Sequence, residues 1–567
     1  MQIADLEKFR RYRDAGTSFR EVLLVAMLFA SLGAIAWAIR GTSGWSGIDG
    51  TLVPGLMWGV LWWHVCWRKG IDARGVVLWL GLGISLGGEL GYGQYVSWIR
   101  GIFNVGDEIV PIEAWVGWLW FAICGIGWAA PGGIALGWAL AGRKSLGVWL
   151  SRLVVTVGIG VLTRLVMQKW PWLILPNWEL GFYVAETEGV FDRGADLATQ
   201  GNMLGLWLMC VLLCGVAWFV AKRASRVARG MAVCAVGGAM ALLLIVAQWL
   251  FFPEAQLCLF AGELGSHLGR TVYTQSQNAI VVGWWLGALL VAAVQRDRFT
   301  LVAGLVLGIG FGVLFPISAV WCLAYGSESY ATLVDWWKMW ELNSGFFLGP
   351  LYVGVLYWAM RQVDDGQYAN SKDESPNFRL WCETLGKVFG LGLILYVTAR
   401  EDFLVVGMLL AIFYGVAMFL AMLAAEGVVD RLRAVSFVYA VFLLVFIMAW
   451  GVSTQAGILL GLYDASLTSQ YAWPAWRVII FTPVGLLITG AALLKMWHIR
   501  CNALVGLPAA DDVPLVSARL IDLMAFLGVV GAVSIWPAKI VVFYVLFLGL
   551  GLFAFNRVNI WFARVDA

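Results

Sequence analysis

The sequence predicts an all-α integral membrane protein: a polytopic bundle of about sixteen transmembrane helices, N-in and C-in, with hints of four-helix repeats. Composition comes first. With 61% hydrophobic and 13% charged residues and a mean hydropathy of +0.82, 567 residues lack the polar surface a soluble chain needs. Periodicity comes second: apolar runs of about 18 to 25 residues recur along the chain, the length a helix needs to cross about 30 Å of hydrocarbon. Barrel strands would be shorter and would alternate strictly. Charge placement comes third, because 28 of the 38 Lys and Arg fall in alternate loops when the N-terminus is put inside.

Residues 1–20 are polar and basic and read as a cytoplasmic leader without a cleavable signal. The first membrane bundle, 21–360, begins with spans near 21–39, 51–67, 75–96, 114–141 and 147–168. It continues near 203–221, 231–252, 279–295, 300–324 and 344–360. Residues 361–380, "RQVDDGQYANSKDESPNFRL", are charged and poor in aliphatics, which predicts a cytoplasmic linker. The second bundle, 381–567, adds spans near 381–398, 403–425, 434–452, 474–494, 520–536 and 539–556. This pattern predicts a multi-pass protein of the inner (cytoplasmic) membrane, with the lipid bilayer as its first partner.

Two echoes point to internal repetition. GELG occurs at 88–91 and 262–265, and "NWELGFY" at 177–183 resembles "WELNSGFF" at 340–347. Each echo joins positions four spans apart in the same orientation, as parallel repeats in carriers do. The 34 tryptophans predict interfacial belts and packing, and glycine-rich stretches such as 81–93 and 304–312 predict close helix contacts.

Several function classes lack their signatures. The sequence contains no P-loop, no HExxH and no nucleophile elbow, and only His64, His267 and His498 are available for a histidine-based metal or haem centre. Nine scattered cysteines without a CxxC pair read as small buried apolar residues. No cofactor is expected, and no basic soluble module suggests nucleic acid.

The candidate site residues are polar groups in apolar surroundings. A carboxylate at membrane depth costs several kcal/mol unless it meets a partner, water or a cavity. Glu89, with Tyr92 and Gln94, and Glu263, with His267, Arg270, Gln275, Gln277 and Asn278, are therefore expected to line a shared polar cavity. His267 falls four residues after Glu263 and Arg270 three further on, one face of a helix. Arg40 reads as a clamp for an anionic group or as an ion-pair partner, and Asp49 stands just before the second helix, where its charge suits the dipole. Glu341 and Asn343, ahead of the tenth span, complete the set. The outer acids Glu179, Glu186, Glu188, Asp192 and Asp196 could hold a divalent metal or be simply solvated.

The leading expectation is a carrier of a small polar solute, a sugar or organic anion. Glu89 and Glu263 would take a coupling proton or cation, Arg40 and Arg270 an anionic group, and the amides the solute's hydroxyls. One alternative is a membrane-embedded glycosyl- or acyltransferase using a lipid-linked donor at the outer face, with Asp49, Glu89 or Glu188 as base or metal ligand. The other is a structural subunit of a larger complex.

Overall fold

The computed structural model describes residues 2–3, 5–39, 48–73, 95–105, 108–111, 113–140, 296–363 and 538–566, with single positions in 76–84, 282–293 and 518–533. In chain order the elements are β1 (Gln2–Ile3), α1 (Leu6–Ala15), α2 (Phe19–Ile39), α3 (Ile48–Arg68) and β2 (Ile71–Asp72). Then come α4 (Tyr95–Trp98), β3 (Ile102–Val105), β4 (Glu108–Pro111) and α5 (Ala114–Leu140). After these follow α6 (Arg298–Ala319), the 3-10 turns Val320–Gly326, α7 (Glu328–Ala331), α8 (Trp336–Arg361) and α9 (Ala538–Asp566). The described chain is predominantly helical. Among the described residues four helices are long and apolar enough to cross a membrane: Phe19–Ile39, Ala114–Leu140, Arg298–Gly326 and Ala538–Val565. Expected spans between 147 and 278 and between 381 and 517 lie outside the described residues, as do residues 364–380 of the linker expected over 361–380.

The chain divides into two compact units, residues 1–85 with 329–567, and residues 86–328. In the first, α2 is the hub. Ser18 Oγ accepts from Glu21 N at 3.1 Å and starts the helix, and every residue from Leu28 to Ile39 is buried. α8 runs antiparallel to it through small residues. A Cβ on Gly349 would come within 2.5 Å of Phe29 C and Ala30 N, and one on Gly33 within 2.8 Å of Gly345 O. α9 packs on another side, where a Cβ on Gly551 would lie 2.7 Å from Leu32. Lipid tails are as apolar as the side chains, so close backbone approach supplies the attraction that water would otherwise provide.

The basic leader is folded onto this unit. Asp5 caps α1 by accepting from Lys8 N at 3.0 Å, and Phe9 and Tyr12 are buried. β1 pairs antiparallel with β2, Gln2 opposite Asp72, and Asp5 N donates to Gly70 O at 3.0 Å. Gly70 has a φ of 75° and no room for a side chain, because a Cβ there would meet Phe9 N at 2.9 Å.

In the second unit α5 and α6 form one antiparallel seam. A Cβ on Gly125 would reach Phe311 O at 2.7 Å, and one on Gly133 would reach Ala303 O at 2.6 Å. Gly304, Gly308 and Gly312 form the buried stripe of α6, while Leu305, Ile309, Val313 and Ile317, one position on, are exposed. Tyr95, Trp98, Trp120 and Phe121 cluster at one end of this seam, with Phe315 against Phe121 at 5.8 Å.

Helix limits differ from the hydropathy reading in instructive ways. α8 starts at Trp336, eight residues before the expected span, because Asp335 accepts from Lys338 N at 3.1 Å. α9 continues to Asp566, ten residues past the expected end, where its polar last turns pack on the leader and α2. Trp58, Trp62 and Trp63 are fully buried, so this cluster serves packing inside the bundle and not an interfacial belt. The described cysteines Cys66, Cys124 and Cys322 are buried.

Candidate functional site

Two buried acid–base clusters sit at opposite ends of α2. At its start, Glu21 lies in the first turn, where a negative charge complements the helix dipole. Its Oε1 meets Lys69 Nζ at 2.5 Å and accepts from Tyr357 Oη at 2.7 Å, and its Oε2 accepts from Trp561 Nε1 at 3.1 Å. Lys69 Nζ also lies over the rings of Tyr12, Tyr357 and Phe562, at 5.4, 5.0 and 5.9 Å. Glu21 and Lys69 are 3% and 5% exposed, so this ion pair joins five segments out of contact with water. Beside it, Asn559 Oδ1 lies 3.1 Å from His64 Nε2 and accepts from Arg68 Nη2 at 3.3 Å.

At the other end of α2, Lys338 Nζ bonds Glu341 Oε2 and donates to Ala38 O at 3.3 Å. Ala38 O belongs to the last turn, whose carbonyls lack helical partners and favour a cation. Trp337 Nε1 donates to the second Glu341 oxygen at 3.1 Å. Both charged residues are buried. Tyr544 of α9 lies within electrostatic reach of Glu341 and Asp335, and its buried hydroxyl has no hydrogen-bond partner among the described residues. Glu21 and Ala38 are 17 positions apart, about 26 Å along the helix axis. The clusters therefore stand at the two ends of α2, separated by a little less than the thickness of a hydrocarbon core.

Of the predicted site residues, Glu341 is buried and ion-paired in the first turns of α8, and Asn343 is half-buried two positions on. Asp49 falls in the first turn of α3 rather than ahead of it. Arg40, Glu89, Tyr92, Gln94, Glu263, His267, Arg270, Gln275, Gln277 and Asn278 lie outside the described residues, as do the outer acids from Glu179 to Asp196. Sequence reasoning does not pick out Glu21, Lys69, Tyr357 and Trp561. Each stands at the edge of an apolar run, where a charge reads as a topology signal and an aromatic as an interface anchor. Among the described residues no group of three or more His, Cys, Asp or Glu is placed to hold a metal.

These clusters hold paired charges away from water. Comparison with protein-family models, curated proteins and solved structures finds no match to this chain.

Proposed function

We propose that the chain is a multi-span carrier of the inner membrane, with about sixteen helices, that moves a small polar solute such as a sugar or an organic anion. The observation that carries this reading is the pair of dehydrated acid–base clusters at the two ends of α2. Alternating access needs a closure on each side of a central site, opened by turns. Glu21–Lys69 at the cytoplasmic end and Lys338–Glu341 at the outer end would serve as those closures, the sides following from the distribution of basic loops. A proton or cation bound at such a carboxylate would couple to the movement. In this reading Glu89 and Glu263 would take the coupling proton or cation, Gln94, Gln275, Gln277 and Asn278 the solute's hydroxyls, and Arg40 and Arg270 an anionic moiety.

The test is a thermal-shift screen of the detergent-purified chain against sugars, organic acids, cations and lipid-linked sugars, repeated on Glu89→Gln, Glu263→Gln and Glu341→Gln. The carrier reading expects a soluble solute to stabilise the wild type and to lose that effect in the Glu89 and Glu263 variants. A response to a lipid-linked donor alone would replace it with the membrane-embedded transferase.

A further inference from the structure

The exposed face of α9 changes character near its end. Val542, Leu546, Phe553 and Ile560 are exposed at intervals that keep them on one side of the helix. Arg557 and Arg564, also exposed, fall on the same side, and the Arg557 guanidinium stands over the Phe553 ring at 5.3 Å. An apolar, lipid-facing stripe thus ends in two cations within the last three turns. That is the depth at which a long basic side chain leaves hydrocarbon for the headgroup layer.

Two further elements meet this end of α9. Tyr12 Oη of α1 donates to Phe562 O at 3.1 Å, and Trp561 is bonded to Glu21 in the first turn of α2. α2 repeats the same transition: Phe19 and Leu23 are 82% and 56% exposed one turn apart, and Arg20 beside them is exposed. α1 adds the exposed Arg10 and Arg11. The exposed acids of α1, Glu7 and Asp14, lie 3.9 Å from nitrogens of Arg11 and Arg13, and with four basic residues against these two acids α1 stays net positive.

We infer that the corner formed by α1, α2 and the end of α9 binds an anionic phospholipid. Arg20, Arg557 and Arg564 hold its phosphate, and its acyl chains lie along Phe19–Leu23 and the Leu546–Phe553 part of the stripe, about one leaflet in length. Guanidinium matches phosphate oxygens in pairs of hydrogen bonds. The apolar stripes leading away from the arginines fit a lipid and offer nothing to a free phosphate. Each basic residue near an anionic leaflet strengthens attachment about fivefold, so three together give about a hundredfold.

The experiment uses the full chain in neutral detergent, with thermal unfolding followed during titration by phosphatidylglycerol, phosphatidylcholine or glycerol 3-phosphate. Phosphatidylglycerol is expected to stabilise saturably and the other two not. In the combined variant Arg20→Gln, Arg557→Gln, Arg564→Gln the half-saturating concentration should rise about a hundredfold. An equal response to phosphatidylcholine, an equal response to glycerol 3-phosphate, or an unchanged half-saturation in the variant overturns the proposal. A salt series on the wild type gives an answer that does not depend on the variant's folding. The phosphatidylglycerol response should weaken at high ionic strength, and a salt-independent response overturns the proposal equally.

Discussion

α2 and α6 are close in length, 21 and 22 residues, and are held in their units by different means. α2 is surrounded: its second half is buried on all sides, and each end is tied by a buried cation–carboxylate cluster. α6 is one-sided. It buries the Gly304–Gly308–Gly312 stripe against α5 and Trp285 and turns Leu305, Ile309, Val313 and Ile317 outward. Where apolar burial gives no net attraction, a helix can be held by charges and hydrogen bonds that have nowhere else to go, or by backbones brought close enough for dispersion. The first means places costly polar groups at chosen depths. The second needs only an absence of side chains.

The comparison breaks most visibly at Lys69. Lys69→Ala leaves Glu21 as a buried carboxylate with Tyr357 and Trp561 but no countercharge, a loss of about 3–5 kcal/mol. Replacing both partners together, Glu21→Leu with Lys69→Met, removes the charge as well as its partner and should recover most of that loss. Thermal unfolding in detergent checks both. A double variant as unstable as Lys69→Ala would mean that the polar cluster, and not charge balance alone, holds the start of α2.

In the seam the corresponding change is Gly133→Ala. The added methyl would sit 2.6 Å from Ala303 O, a backbone atom that cannot rotate away, so the helices must part. The expected cost is about 1–3 kcal/mol. Gly354 of α8, where a methyl would meet nothing within 4 Å, is the control and should tolerate alanine. If the two substitutions were equal in unfolding temperature, close approach would not be what holds α5 to α6.

The glycine seam is legible in the sequence, since four-residue spacing along 304–312 marks a helix face whatever its partner. The ends of α2 are not. Glu21 and Lys69 are 48 positions apart, and each flanks an apolar run, where a charge is expected for reasons of topology alone. Their pairing depends on α3 returning to the start of α2, and Tyr357 and Trp561 arrive from distant parts of the chain. Hydropathy also ends α9 too early, because Asn556, Arg557 and Asn559 lower the average while the helix goes on to meet Tyr12 and His64. Glu341 stands out in the sequence as a polar residue in need of a partner, and it has one. That partner, Lys338, lies three positions back on the same helix, a spacing that becomes readable once α8 is known to start at Trp336.

The finest contrast is between two single hydrogen bonds. Tyr357→Phe removes a donor to a buried carboxylate, and Trp285→Phe removes a donor to the neutral carbonyl of Gly304, held at 2.9 Å. Bonds to charged groups contribute about 1.5–3 kcal/mol, whereas interhelical bonds between neutral groups in membranes average about 0.6 kcal/mol. Tyr357→Phe should therefore lower the unfolding temperature clearly, and Trp285→Phe barely, because Gly308 still lies beneath the ring and the seam keeps its close contacts. A reversed order would place polar bonding in the seam of α6 and packing at the start of α2, and would exchange the roles assigned to the two helices.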